Sequence, residues 1–268
     1  MSNVTVDTVR EYFDAEIGRG RRLLPDRNTV GGLGTWRKYE RAATLMSDPA
    51  VRDVLDVGCN RGSIEALFHS LHPEKARRTL VEGVDVSGDA VAQARALALP
   101  NCTFSAYAGR ELPFGSASFD LVVMVEVLEH VIEKEALLRE VHRVLRPGGR
   151  LFLTTPNPQC VALRVERAIW GSLRWLFGRA SPAKDLFIAQ RALAASLETA
   201  GFRSPVSPTY MWPHAFIGVS NWGLVPPLPP ALLYRYQKAC LVRLERDSLP
   251  GWLQRYLMWT IVAEPRRQ

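Results

Sequence analysis

Short apolar segments alternate with amphipathic helical segments between residues 54 and 157, and this alternation constrains the fold more than any other feature. Apolar runs of strand length predict buried strands, and apolar residues recurring every three or four positions predict helices. Strands joined through helices form an open parallel sheet with right-handed crossovers. The sequence therefore predicts an α/β fold with strands over 54–58, 79–86, 102–107, 120–125 and 150–155 and helices over 63–71, 89–99 and 133–145.

The segments outside this alternation predict a cover and a cap. Residues 1–53 read as a helical N-terminal cover, with Gly31 to Gly34 as a flexible break, and residues 54–268 as the main domain. Within that domain, cap insertions are expected at about 158–185 and 212–255, because both segments are rich in apolar and aromatic residues. Such residues would roof a pocket or would bury one helix against another; the sequence leaves both options open.

Composition excludes several protein classes. The 268 residues are 47% hydrophobic and 23% charged, near the globular average, which argues against disorder or a fibrous repeat. No run reaches the ~18 apolar residues of a membrane span, and no secretory signal pattern opens the chain. The four cysteines are widely spaced, which argues against a disulfide framework or a zinc cluster. We therefore expect a cytoplasmic protein.

The net charge of +7 has two interpretations. The positive charge could form a surface that attracts anionic partners. Alternatively, it could lie on solvated, arginine-rich faces that bind no partner and give the same net charge. The predicted helix over 161–178 carries Arg164, Arg167 and Arg174 on one stripe, so peripheral contact with a membrane is an open alternative. No aromatic-basic repeat accompanies the charge, which makes nucleic acid an unfavoured partner.

Two loops that follow predicted strands have the residues of a ligand site. Asp56 to Gly62 contains two glycines, which let the backbone approach a ligand, and a helix begins directly after it. The loop lacks the third glycine of a dinucleotide fingerprint and the lysine of a P-loop. Asp85 ends the second strand, where a carboxylate can accept both hydroxyls of a ribose. Ser87 is better placed to cap the next helix, so Asp85 is expected to be free for a ligand.

Five ordered motifs give the chain a family resemblance. In order they are the Asp56 to Gly62 loop, Asp85, residues 111–131, residues 146–151 and residues 155–157. Together they resemble the class I S-adenosylmethionine-dependent methyltransferases. That resemblance implies a Rossmann-like fold with a mostly parallel, seven-stranded sheet flanked by helices, and S-adenosyl-L-methionine as cofactor.

The resemblance also implies a role for individual residues. The first loop would hold the methionine part of the cofactor, Asp85 the ribose, and Val86 would pack on the adenine. Ala108 stands where the family usually has an aspartate beside the adenine amino group, so adenine recognition departs from the pattern. Glu126 would lie near the sulfonium end. The residues expected to bind cofactor are Asp56, Gly58, Cys59, Asn60, Gly62, Asp85, Val86, Ala108, Gly109 and Glu126.

Glu126, Glu129 and His130 admit two interpretations. If a helix begins at Glu126, the three side chains share one face and could hold a divalent metal. The pattern resembles that of small-RNA 2′-O-methyltransferases, but a further histidine of those enzymes has no counterpart at residues 184–187. We therefore expect no metal, with His130 as a general base, Glu129 beside it, and His214 as a second candidate base.

Methyl transfer to several kinds of acceptor and a non-catalytic role remain open. The leading hypothesis is O-methylation of a partly apolar small molecule, such as a sugar or glycoside, a quinone or a secondary metabolite. A carboxyl or nitrogen acceptor and an RNA 2′-O-methyltransferase are the alternatives, and a non-catalytic cofactor-binding relative is the third class. The sequence indicates neither the acceptor nor the oligomeric state.

Overall fold

A seven-stranded sheet, flanked by helices, organises the chain. The computed structural model describes residues 23–25, 30–109, 111–161, 164, 186–202, 209–213, 235 and 258–267. The helices are α1 (Val30–Met46), α2 (Ser63–Leu71), α3 (Pro73–Ala76), α4 (Gly88–Ala96), α5 (Lys134–Val144) and α6 (Gln190–Thr199). The strands are β1 (Asp53–Val57), β2 (Leu80–Asp85), β3 (Cys102–Ala106), β4 (Phe119–Val125), β5 (Leu145–Pro156), β6 (Thr209–Pro213) and β7 (Met258–Ala263).

The strand order is β3-β2-β1-β4-β5-β7-β6. The first five strands are mutually parallel, and β7 runs antiparallel to both β5 and β6. Strand order reverses beside β1, so the carboxyl ends of β1, β2 and β4 meet at one edge. This confirms the predicted α/β fold with a mostly parallel, seven-stranded sheet.

Apolar side chains on both faces of the sheet hold the helices in place. One face packs Ala42, Met46 and Phe68 of α1 and α2 against the sheet. The other face packs Leu138 and Leu197 of α5 and α6. Each fully buried leucine or phenylalanine contributes about 1.5–3 kcal/mol relative to an exposed one. The central strands are therefore buried on both sides, which explains why their sequences read as continuous apolar runs.

The predicted and observed elements differ most at two places. The fifth strand begins at Leu145 rather than residue 150, because Leu145 pairs with Phe119 of β4 and residues 148–151 pair with residues 265–267. In that pairing the Gly148 N–H donates to the Arg267 carbonyl at 2.6 Å, and the Arg267 N–H donates to the Gly149 carbonyl at 2.9 Å. A hairpin-like contact between distant segments cannot be seen in local periodicity.

The expected break at Gly31 to Gly34 is wrong, because α1 runs through these residues. A glycine inside a helix costs only about 1 kcal/mol relative to alanine. Burial of Ala42, Ala43 and Met46 against the sheet outweighs that cost. Residues 30–46 of the predicted N-terminal cover are thus helical.

The predicted caps lie largely outside the described residues, as does the predicted helix over 161–178. Gly201 follows α6 closely and has a φ of 102°. Among the described residues, no helix is long and apolar enough to cross a membrane.

Candidate functional site

The loop after β1 turns sharply through three residues with positive φ. These are Gly58 at 81°, Asn60 at 49° and Gly62 at 75°. The Gly58 and Cys59 N–H groups both donate to the Val84 carbonyl, at 2.7 and 3.1 Å, and so fasten the loop to β2. The left-handed conformation favours glycine and tolerates asparagine. The loop geometry therefore explains why glycines stand at 58 and 62.

Gly58 also lies against the segment that follows β4. A Cβ atom added at Gly58 would stand 2.4 Å from Val127 Cγ2, well inside van der Waals contact. The β1 loop and the β4 loop therefore touch, and this contact brings the expected cofactor loop beside Glu126, Glu129 and His130.

We expect Gly58→Ala to lose more stability than Gly148→Ala. Both residues have positive φ, which costs an alanine about 1–2 kcal/mol, but a Cβ at Gly148 meets nothing within 4 Å. Gly58→Ala adds the overlap with Val127 and should also displace the loop. Denaturant unfolding of the two variants and of wild type measures the difference. If both variants lose the same free energy of unfolding, the structure accommodates the overlap with Val127 without loss of stability.

Asp85 is buried and is already engaged by the protein backbone. Its Oδ2 accepts the Asn60 N–H and its Oδ1 accepts the Ser87 N–H, both at 2.9 Å. Ser87 Oγ accepts the Ala90 N–H at 3.1 Å and caps α4, as predicted. Asp85 thus leaves the cap to Ser87, as expected, but its carboxylate already accepts two backbone N–H groups. Since each carboxylate oxygen has two lone pairs, Asp85 can hold the loop and still accept further hydrogen bonds.

Asp56 and Glu65 are the most deeply buried acidic residues at this edge, with 1% and 0% exposure. Asp56 ends β1, and Glu65 comes from the first turn of α2. Burial raises the pKa of Glu65 to about 7, and burial followed by the nearby Glu65 raises that of Asp56 well above its usual range. Tyr39 of α1 faces both, and its pKa rises to about 12 through burial first and then through these carboxyls.

Sequence reasoning missed Glu65 and Tyr39. Glu65 stands among Ile64, Leu67 and Phe68, the buried side of an amphipathic helix. An acidic residue on the apolar arc of a short helix was the available signal, because burying a carboxyl without a partner is costly.

The residues after β4 form a second polar cluster. Glu126 has a φ of 57°. It makes a 3.0 Å ion pair with the buried Lys38 of α1 and accepts a 3.0 Å hydrogen bond from Thr154 Oγ1. Sequence reasoning did not anticipate Lys38. The pair neutralises Glu126 and ties α1 to the carboxyl edge of the sheet.

Glu129 and His130 lie on a 3-10 turn, Leu128–His130, rather than on a helix that begins at Glu126. Glu129 is buried and accepts a 3.1 Å hydrogen bond from Thr155 Oγ1. Burial, followed by the charge of Glu126, raises the pKa of Glu129 well above its usual range. His130 Nε2 lies 3.9 Å from Glu129 Oε1. Glu129 therefore lies beside the imidazole, at a separation longer than a hydrogen bond.

The helical premise of the metal alternative is therefore wrong. The positive φ of Glu126 turns the chain before the 3-10 turn starts, so the three side chains do not share one helical face. Among the described residues, no group of three or more histidine, cysteine, aspartate and glutamate side chains could hold a metal ion.

The segment after β3 lies beside Asp85. The Tyr107 N–H donates to the Asp85 carbonyl at 3.0 Å, and Ala108 and Gly109 follow directly, with Gly109 at a φ of 74°. Burial and then Asp85 raise the pKa of Tyr107, so its phenol stays neutral near that carboxylate. Val86 is half-buried on the other side. His214 lies outside the described residues.

Comparison with known proteins agrees with this geometry. Residues 55–153 match the family described as a methyltransferase domain, and this match spans β1 to β5. Residues 55–153 thus carry a methyltransferase domain, and the chain is similar to S-adenosylmethionine-dependent methyltransferases. The family resemblance expected from the five motifs is thereby confirmed.

Two curated relatives and one solved structure show what this chain is similar to. The ubiquinone/menaquinone biosynthesis C-methyltransferase of Desulfotalea psychrophila is 32% identical over 151 residues, covering 56% of this chain and 58% of the relative. The 27-O-demethylrifamycin SV methyltransferase of Amycolatopsis mediterranei is 32% identical over 142 residues, half of each chain. An S-adenosylmethionine-dependent methyltransferase of Mesorhizobium loti shares the fold with a TM-score of 0.56 at 19% identity, covering 89% of this chain and all of that one. The chain thus spans about half the length of these curated relatives.

S-adenosylmethionine is the cofactor of S-adenosylmethionine-dependent methyltransferases, and the residues of this site fit it. The buried carboxyl oxygens of Asp56 meet no hydrogen-bond partner among the described residues, which suits a ligand that carries an ammonium group. Asp85 retains acceptor capacity for ribose hydroxyls. When bound, the cofactor supplies a methyl group on positively charged sulfur.

Proposed function

We propose that this protein is a methyltransferase that transfers a methyl group from S-adenosylmethionine to an oxygen atom of a small molecule. The observation that supports this most is the contact between the β1 loop and the β4 loop, where Gly58 meets Val127. Val127 precedes His130 by three positions in the chain, so the contact supports a proton acceptor near the proposed methyl donor.

The proposed reaction is an in-line displacement, in which positioning supplies much of the rate. Asp56, Gly58, Cys59, Asn60 and Gly62 hold the methionine part, Asp85 holds the ribose, and Val86, Ala108 and Gly109 border the adenine. Glu126, neutralised by Lys38, borders the sulfonium end.

A hydroxyl acceptor must lose a proton, and an imidazole can take one near neutral pH. We assign this step to His130, whose Nε2 lies 3.9 Å from Glu129 Oε1. His214 remains the second candidate, contributed by the cap.

A small-molecule acceptor is favoured over RNA by the curated relatives, which include a ubiquinone/menaquinone biosynthesis C-methyltransferase and a 27-O-demethylrifamycin SV methyltransferase. The proposed caps, at about 158–185 and 212–255, supply the apolar residues for a partly apolar acceptor. A metal site at Glu126, Glu129 and His130 was one reason to consider an RNA acceptor. That site required a helix beginning at Glu126, which the structure does not have, so this reason no longer applies.

Transfer of labelled methyl groups tests the function. Purified protein with methyl-labelled S-adenosylmethionine is incubated in parallel with a small-molecule extract of the source organism and with its total RNA. We expect label in the small molecules only, and expect it to survive mild alkali, because a methyl ether resists hydrolysis whereas a methyl ester releases methanol. Label in RNA, or alkali-labile label, would select the RNA or the carboxyl alternative.

The same assay tests the metal requirement. We expect EDTA to leave transfer unchanged, since His130 rather than a metal removes the proton. If activity disappears with EDTA and returns with Mg²⁺ or Mn²⁺, the side chains after β4 are metal ligands and the proposed base is wrong.

A further inference from the structure

The buried hydroxyl of Thr260 lacks a hydrogen-bond partner in the described part of the chain. Thr260 is the third residue of β7 and has 0% exposure. Its Oγ1 makes no hydrogen bond to any described residue. Most buried hydroxyls in proteins are paired, because a hydroxyl that leaves water without gaining a partner costs free energy. A ligand with a polar atom beside Thr260 would supply the missing hydrogen bond.

The strand register places Thr260 at the same edge of the sheet as the proposed site. Thr260 pairs with Pro156, the last residue of β5, and with Met211 on β6. Strand β5 runs parallel to β4, so both strands end at the edge where Glu126 begins the β4 loop. Thr260 therefore belongs to the row of residues at the carboxyl edge of the sheet.

Thr260 also lies on the face of the sheet that α1 covers. Residues opposite each other on antiparallel strands share a face, and so do residues two positions apart on one strand. Val262 is opposite Thr154 and belongs to the core cluster that contains Ala42 and Met46 of α1. Thr260 is two positions closer to the carboxyl edge than Val262, which makes it the diagonal neighbour of Thr154, at about 7–8 Å.

The polar side chains next to Thr260 on this face are engaged with one another. Thr154 Oγ1 donates to Glu126 at 3.0 Å, and Glu126 forms its 3.0 Å ion pair with Lys38. The Thr260 hydroxyl takes no part in this network. Packing alone would be served by a valine, which has the same shape and stands two positions along at Val262. The hydroxyl is therefore better explained by a ligand than by the stability of the fold.

We propose that the Thr260 hydroxyl binds the methyl acceptor, through a hydrogen bond to a polar group other than the oxygen that is methylated. The inference rests on the proposed function, because it takes the acceptor of that reaction as the ligand. A hydroxyl can both donate and accept, so a hydroxyl, carbonyl or amide of the acceptor would fit. Thr260 is thus a specificity-determining residue of the acceptor pocket.

The position of Thr260 also indicates the length of the acceptor. Strand β5 separates β7 from β4, so β7 lies two strand spacings from β4, which is about 10 Å. With its methylated oxygen near His130, the acceptor would extend over the ends of β4 and β5 and place its second polar group roughly 10 Å away. That span is longer than a single aromatic ring. It favours a glycoside or a polycyclic metabolite over a simple phenol.

Thr260→Val tests the proposed hydrogen bond. The probe is the small-molecule extract of the source organism, supplied at serial dilutions with labelled S-adenosylmethionine. Low extract concentrations measure kcat/KM, and saturating ones measure kcat. We expect Thr260→Val to need roughly five- to fiftyfold more extract for its half-maximal rate, because the acceptor then buries a polar group against a methyl group. Thr260→Ser keeps the hydroxyl and should be much closer to wild type.

The stability of the variants separates binding from folding. Thr260→Val should unfold at the same denaturant concentration as wild type or at a higher one, because it replaces an unpaired hydroxyl by a methyl group of the same shape. Thr79→Val is the matched control. Thr79 is equally buried, but its hydroxyl donates to the Lys75 carbonyl at 3.0 Å, and it precedes β2 at the opposite edge of the sheet. That variant should lose stability and keep the wild-type dependence on extract.

The outcomes separate this inference from the proposed function. An unchanged half-saturating amount of extract for Thr260→Val, or a loss of stability as large as that of Thr79→Val, overturns the hydrogen bond to the acceptor and leaves the proposed function standing. Weaker calorimetric binding of S-adenosylhomocysteine by Thr260→Val would assign the hydroxyl to the cofactor and overturns the inference as well. Absence of methyl transfer to small molecules by well-folded wild type overturns the proposed function, and this inference with it.

Discussion

Replacing His130 with alanine should lower kcat by at least ~100-fold while the affinity for S-adenosylhomocysteine stays near that of wild type. General-base assistance contributes ~10²–10⁴-fold to a rate, and His130 lies beside Glu129 at the mouth of the proposed site. Steady-state kinetics with the true acceptor, together with calorimetric titration, measure the two quantities separately.

The matched control is His142→Ala. His142 stacks edge-to-face on Phe202 with ring centroids 5.1 Å apart, remote from the strand ends that form the site. That variant should lose stability and keep its kcat. His214→Ala is measured in parallel, since His214 is the alternative base. If His130 and His214 variants both turn over at the wild-type rate, the acceptor needs no histidine base, and a carboxylate or a neutral amine becomes the better substrate class.

Asp85→Ala should weaken cofactor binding at least tenfold. Charge-assisted hydrogen bonds contribute ~1.5–3 kcal/mol each, and the ribose is expected to make two of them. The variant also removes the acceptor of the Asn60 and Ser87 N–H groups, so the β1 loop should loosen. Asp89→Ala is the control, because Asp89 is an exposed carboxylate only four positions later, at the start of α4.

A thermodynamic cycle separates the two effects of Asp85→Ala. S-adenosylhomocysteine and its 2′-deoxyribose analogue are titrated into wild type and variant. If Asp85 accepts the ribose hydroxyls, wild type should lose affinity for the analogue, whereas the variant should bind both ligands about equally. Equal losses in both proteins would mean that Asp85 supports the loop and does not touch the ribose.

The sequence predicted the elements that depend on local periodicity. Helix α2 was predicted at its observed bounds, and strands β1 to β4 within one or two residues. These elements are all buried at one sheet, and their burial produces the apolar periodicity from which they were predicted. The Ser87 cap of α4 was also predicted, since capping requires only neighbours in the chain.

Features that depend on distant segments could not be predicted in this way. The pairing of Lys38 with Glu126 joins residues of α1 and of the β4 loop, which are brought together only by packing. The engagement of Asp85 depends on the positive φ of Asn60, which turns its N–H toward the carboxylate. In the sequence Glu65 is one polar residue of an amphipathic helix, and only the fold shows that it is buried near Asp56.

The antiparallel insertion of β7 between β5 and β6 has a consequence for synthesis on the ribosome. Strand β5 ends at Pro156, and its partner begins at Met258, about one hundred residues later. At a synthesis rate of ~5–20 residues per second, this edge of β5 stays unpaired for roughly 5–20 s before β7 is made. An unpaired apolar edge is a template for strands of other chains. The nascent chain is therefore most exposed to misassembly in this interval, and chaperone binding should be concentrated there.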